Sequence, residues 1–143
     1  ALLRSHRHRP DPALLNAALA TARANVRMMQ RDGSFDYVQN RDGTSGRESP
    51  TGSATAFAGL LWLDLRALGH RDFDPQIHAA ARWLIANRFA ADHADPNVRG
   101  LVVELRVKRD ANGRRVTLLR DLGSPFAARF LAAYLAAFPG DAP

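Results

Sequence analysis

The chain has 143 residues, 46% of them hydrophobic and 24% charged, an ordinary globular composition that tells against global disorder. One domain of this size buries about 70% of its unfolded surface, so a single core suffices. There are 20 basic and 14 acidic residues and no cysteine; disulfides, thiol nucleophiles and thiolate metal sites are excluded, and no apolar run approaches the ~18 residues of a membrane span.

The basic side is almost all arginine, with Lys108 the only lysine. These arginines are scattered through every segment among many alanines, a pattern that the base composition of a GC-rich genome produces without a ligand. Nucleic-acid binding is therefore not expected. Only Arg4-Ser5-His6-Arg7-His8-Arg9 is a cluster. Its place ahead of Pro10 predicts residues 1–10 as a basic flexible arm or linker rather than a metal-binding histidine tract. The chain opens at Ala1 without a Met or a signal-like apolar stretch and reads as a processed product or, preferably, a piece of something larger. Residues 11–140 are expected to form one helical-hairpin domain.

Asp11-Pro12 starts the first helix as an N-cap followed by a proline where a missing N–H is harmless. Leu15, Leu19, Ala22, Val26 and Met29 recur at steps of three and four and carry that helix to about Gln30. Met28 and Met29 are core filler. A long connection follows, and a second helix begins with Thr51 or Ser53 as its cap, ending near Gly69. It is apolar nearly all round, which predicts the central, most buried element. Asp64 inside it is expected on an exposed edge or paired with Arg66 or Arg82, since an unpaired buried carboxylate is costly. Asp74-Pro75 repeats the start signal, and a third helix to about Phe89 packs antiparallel on the second. His70 and His78 are structural histidines.

Beyond Asp95-Pro96 the period changes. Val103, Leu105 and Val107 alternate with Glu104, Arg106 and Lys108, and alternation resumes at Val116 and Leu118. With Asn112-Gly113 as the turn, a β-hairpin is predicted in which Val107 faces Leu118 and Leu105 faces Arg120. Such a ribbon must rest on the helices or a partner. Ser124-Pro125 opens a last helix with an apolar stripe from Phe126 to Phe138. The fold class is mainly α, antiparallel helical hairpins with one small β-hairpin.

The connection between Gln30 and Ser53 exceeds the usual loop length and is dense in Asp, Arg, Tyr and Gly, which marks it as the candidate ligand surface. Asp36 and Glu48 are the carboxylates best placed to share a pocket, as glycoside hydrolysis needs. Tyr37 is the proton-transfer candidate for a lyase or epimerase, with a neighbouring arginine lowering its pKa. Phe35 and Tyr37 can stack on a pyranose, while Arg41 and Arg47 can pair with a uronic acid carboxylate. Against this stands a structural reading in which Asp32-Gly33 and Asp42-Gly43 are turn formers, the charges hold the loop, and the aromatics plug the gap between helices. No metal site or cofactor is implied.

Gln30-Arg31-Asp32-Gly33-Ser34-Phe35 at a helix end, followed by a glycine-rich passage into an alanine-rich helix, resembles the repeat of α/α-toroid proteins. These include six-hairpin glycosidases, polysaccharide lyases, glucuronyl epimerases, terpenoid cyclases and prenyltransferases. The resemblance covers about residues 11–89, and Asp121-Leu122-Gly123-Ser124-Pro125 could open another hairpin. It implies inner and outer helix rings, with the ligand over the N-terminal ends of the inner helices. It also implies carbohydrate processing or binding at the 31–52 loop, Asp36, Glu48 and Tyr37 being catalytic and Asp32, Phe35, Arg41 and Arg47 contacting an oligosaccharide or uronic-acid polymer. No Asp-rich acid motif and no Cys and His ligand set accompany it, which tells against a cyclase or prenyltransferase. A whole toroid needs a longer chain, so a fragment, a minimal version or half of an assembly is implied. The alternative is a noncatalytic helical interaction module or a subunit of a larger assembly.

Overall fold

A computed structural model describes residues 2–39, 45–107, 112, 116–118 and 123–141. Five helices are present there: α1 (Leu2–His8), α2 (Pro12–Met28), α3 (Gly52–Arg66), α4 (Asp74–Ala86) and α5 (Gly123–Ala137). Two antiparallel ribbons accompany them, β1 (Asp36–Gln39) with β2 (Ser45–Pro50) and β3 (Leu105–Val107) with β4 (Val116–Leu118). The fold is mainly α, as the apolar periodicity predicts.

Local chemistry explains the helix boundaries. Asp11 caps α2, its carboxylate accepting from the Ala13 N–H at 2.8 Å, and Pro12 follows at a position that needs no donor. Residues 2–8, expected as a flexible arm, instead form α1, with Leu3 buried in the core. Its Arg7 pairs with Asp64 at 2.9 Å, so Asp64 does lie on an exposed edge, but its partner is neither Arg66 nor Arg82. Arg66 instead meets Asp74 at 3.1 Å and ties the end of α3 to the start of α4 across their short link.

The path helix, ribbon, helix occurs twice: α2–ribbon–α3, then α4–ribbon–α5. Each second helix opens with Gly-Ser, Gly52-Ser53 and Gly123-Ser124. Gly52 and Gly123 both lie against Glu104, Phe57 packs on Phe126 with the rings tilted, and Gly59 lies against Phe130, so α3 and α5 run parallel along their length. The phenylalanine ring occupies the space a Cβ at Gly59 would need. His78 on α4 hydrogen-bonds Tyr134 on α5 at 2.7 Å, and the Trp62 indole of α3 donates to the Ala22 carbonyl of α2 at 3.3 Å. Trp62, fully buried between Phe35 and Phe73, is the centre of the core. The nearly all-apolar α3 touches α2, α4 and α5, which is the central position its composition predicts.

The second ribbon exists where the Asn-Gly signal places it, but its register differs. Leu105 opposes Leu118 and Val107 opposes Val116, rather than Val107 facing Leu118 and Leu105 facing Arg120. The observed register sets apolar against apolar residues, the more stable cross-strand pairing.

Thr51 occupies the N-cap position of α3 but makes no side-chain cap bond. The cap comes from across the fold. Glu104, 4% exposed, accepts from the Ser53 N–H at 3.0 Å and from the Ser53 hydroxyl, while its own carbonyl accepts from the Gly52 N–H at 2.9 Å. A carboxylate at a helix N-terminus satisfies orphan donors and is favoured by the helix dipole. Glu104→Ala is expected to lower stability by about 1–3 kcal/mol, measured by denaturant unfolding with the helix signal as readout.

Burial raises the pKa of the Tyr134 hydroxyl above the ordinary tyrosine value; Asp141 adds to the shift and Arg82 opposes it. The unfolded chain therefore releases this proton first, near pH ~10. Its stabilising contribution is whole below that pH and is lost as pH rises through the higher folded value. Unfolding curves between about pH 9 and 11 should show a loss that Tyr134→Phe reduces.

Candidate functional site

The candidate surface begins where α2 stops. Gln30 and Ser34 close a turn, with the Gln30 N–H donating to the Ser34 carbonyl at 2.9 Å and the Gly33 N–H to the Gln30 carbonyl at 3.0 Å. Gly33 has φ +93°, and a Cβ there would come to 2.5 Å of the Ala79 carbonyl of α4. Only glycine meets both the left-handed backbone and the close approach. Asp32, within the turn, braces it. One carboxylate oxygen accepts from the Ser34 N–H at 3.0 Å and hydroxyl at 2.7 Å; the other accepts from the Trp83 indole at 3.2 Å.

After the turn the chain goes inward. The Phe35 N–H donates to the Thr55 hydroxyl at 3.1 Å and its carbonyl accepts from Thr51 N–H at 2.8 Å, which holds the Phe35 ring against Trp62. Asp36 is 8% exposed and accepts from the Gln30 amide at 3.0 Å. Tyr37 turns outward and is 55% exposed. The stretch read from sequence as a long loop is thus a packed turn followed by a ribbon. Arg47 and Glu48 lie on β2. Their side chains, and Arg41 as a whole, fall outside the described residues.

Two cavities open beside this segment. The first, about 390 Å³, is lined by Asp32, Pro50 and four residues from the last turns of α4 and just beyond, Arg82, Trp83, Ala86 and Asn87. Asp32, Arg82 and Asn87 supply its polar and charged groups, and Trp83, Pro50 and Ala86 its apolar wall. The second, about 340 Å³, lies between α2 and α3 and is dominated by Met28, Phe35, Tyr37, Ala54, Phe57 and Ala58. Asp36 and Asn25 supply its polar groups.

The predicted residues are therefore divided. Asp32 faces the first cavity, while Phe35, Asp36 and Tyr37 face the second. Arg82, Trp83 and Asn87 carry no local signal as site residues, because the α4 end reaches Asp32 only through a bond spanning 51 positions. Among the described residues no cluster of three or more His, Asp or Glu is arranged to hold a metal ion, and no helix is long and apolar enough to cross a membrane. Comparison with known proteins returns no matching family model, curated protein or solved structure.

The Asp32 bonds predict a graded response to substitution. Asp32→Ala frees the Ser34 and Trp83 donors and should destabilise by about 1–3 kcal/mol. Asp32→Asn retains the acceptor for Ser34 but offers an amide donor to the Trp83 indole, so the expected order in thermal melts is wild type, Asn, Ala.

Proposed function

We propose that this chain is a carbohydrate-binding helical-hairpin module of the α/α-toroid kind, with the sugar seated in the cavity beside Asp32. The observation that carries the reading is the lining of that cavity: a carboxylate, a guanidinium and an amide from Asp32, Arg82 and Asn87, beside the Trp83 and Pro50 rings. Carboxylate and amide groups accept from and donate to vicinal hydroxyls, a guanidinium takes two hydroxyls or one carboxylate, and the rings cover the apolar face of a pyranose. Its volume falls within the range of small-molecule sites. Arg82 makes no ion pair among the described residues, so its charge is available to an acidic sugar.

The twofold helix–ribbon–helix path, with α3 and α5 parallel, supports the toroid part of the reading. The cavity lies at the end of the helices where α3 and α5 begin and α4 ends. The ligand sits beside those N-termini rather than on them, because the Glu104 carboxylate occupies the point between Ser53 and Gly123.

Binding, rather than bond cleavage, is what these groups suit. Asp32, Asp36 and Glu104 are each engaged in hydrogen bonds that hold the fold. Glycoside hydrolysis needs two carboxyl groups free to face the scissile bond.

The Trp83 indole N–H gives a direct readout. Titration with a panel of neutral and uronic-acid oligosaccharides should shift its NMR signal for at least one member. Arg82→Ala, an exposed substitution that leaves the melting temperature unchanged, should weaken that binding about tenfold or more, the loss expected for a charge-assisted hydrogen bond. An indole signal unmoved by every member of the panel would refute the reading.

A further inference from the structure

The two cavities differ in the charge of their walls. The one beside Asp32 also carries the Arg82 guanidinium. The one between α2 and α3 carries the Asp36 carboxylate and, among the described residues, no basic side chain. Around that carboxylate stand three aromatic residues, Phe35, Tyr37 and Phe57, and the Met28 thioether. Arg23 and Arg27 of α2 do not offset its charge from the same side. They lie two positions to either side of Asn25, so they turn away from the helix face with which Asn25 lines the cavity.

The rings are held before any ligand arrives. Phe35 packs on Trp62 with centroids 6.0 Å apart, and Phe57 packs on Phe126 at 4.1 Å. Phe57 and Tyr37 nevertheless keep 51% and 55% of their surface open. A guest therefore meets rings already in position, which lowers the ordering cost of binding. Asp36 is buried and accepts from the Gln30 amide, a neutral donor that leaves the carboxylate its charge. Aromatic faces attract cations through their quadrupole, and an anionic group in the same wall adds to that attraction. A cation without N–H groups suits this wall best: it needs no hydrogen bond from a carboxylate with so little open surface. Its methyl groups find apolar contact on the rings and the thioether.

We propose that the cavity between α2 and α3 binds a quaternary ammonium ion, its methyl groups against Phe35, Tyr37 and Phe57 and its charge facing Asp36. The site is separate from the cavity beside Asp32 and does not rest on the carbohydrate reading.

An NMR titration at low ionic strength tests this with choline and its uncharged isostere, in which a tert-butyl group replaces the trimethylammonium group. Choline should shift the Met28 methyl and Tyr37 ring signals saturably and leave the Trp83 indole signal in place. The isostere should bind about fivefold or more weakly, because it fills the same space without the charge. Tyr37→Leu, at an exposed position, keeps apolar bulk but loses the ring, and should weaken choline binding about two- to fivefold, the worth of one exposed cation–π contact. Asp36→Asn keeps an oxygen for the Gln30 amide and removes the charge, and should also weaken binding. Circular dichroism verifies that this buried variant folds; if it does not, the isostere and Tyr37→Leu decide. Choline that leaves Met28 and Tyr37 unmoved or shifts only Trp83, an isostere that binds equally well, or a Tyr37→Leu chain with wild-type affinity overturns the proposal.

Discussion

A single buried carboxylate organises the end of the molecule where its cavities lie. Glu104 takes both hydrogen-bond donors of Ser53, and its backbone carbonyl takes the N–H of Gly52. Its neighbours extend the seam: the Val103 N–H donates to the Asn87 carbonyl at the end of α4, and the Val102 N–H to the Ser124 hydroxyl at the start of α5. Three consecutive residues therefore join three helices. Burying a charge costs several kcal/mol unless donors and favourable dipoles surround it. Here the N-terminal donors of α3 supply them, and the glycines at 52 and 123 leave room for the carboxylate, since a Cβ at Gly123 would overlap it.

That seam determines what the two connections can become. With the 102–104 segment fixed to α3, α4 and α5, the second ribbon is held beside the first, and β2 and β3 touch. The first ribbon is anchored independently by the Asp32 turn and by the inward path of Phe35. The result is one cavity on the α4 side of the turn and another on the α2 and α3 side. The difference in lining follows from which helix faces each: the end of α4 presents Arg82 and Asn87, whereas α2 and α3 present Met28, Ala54 and Phe57.

Much of this was legible in the residues. The Asp11-Pro12 start, the all-round apolar character of α3, the antiparallel pairing of α3 with α4 and the presence of a hairpin near Asn112 all follow from short-range periodicity and capping. The Gln30 to Phe35 passage was visible too, though as a ligand loop. In the fold Gly33 is an approach point for α4 and Asp32 a brace for Ser34 and Trp83. Asp-Gly between helices carries the same signature whether it faces a ligand or a neighbouring helix, and only the position of Ala79 distinguishes the two. The α1 helix was missed because an Arg and His cluster has no apolar stripe of its own; Leu3 finds its apolar surroundings in the core rather than on its own segment.

The sequence by itself determined α2 to α5, their order and their apolar faces, because those depend on spacing within a few residues. Tertiary structure decided the rest. Glu104 reads as the polar step of an alternating strand and becomes the cap of a helix whose Ser53 lies 51 positions earlier. Ribbon register was settled by apolar residues finding one another across the turn, and the grouping of Asp32 with Arg82, Trp83 and Asn87 by where α4 comes to its end. Contacts between distant segments depend on which packing closes the core, and no local pattern encodes that choice.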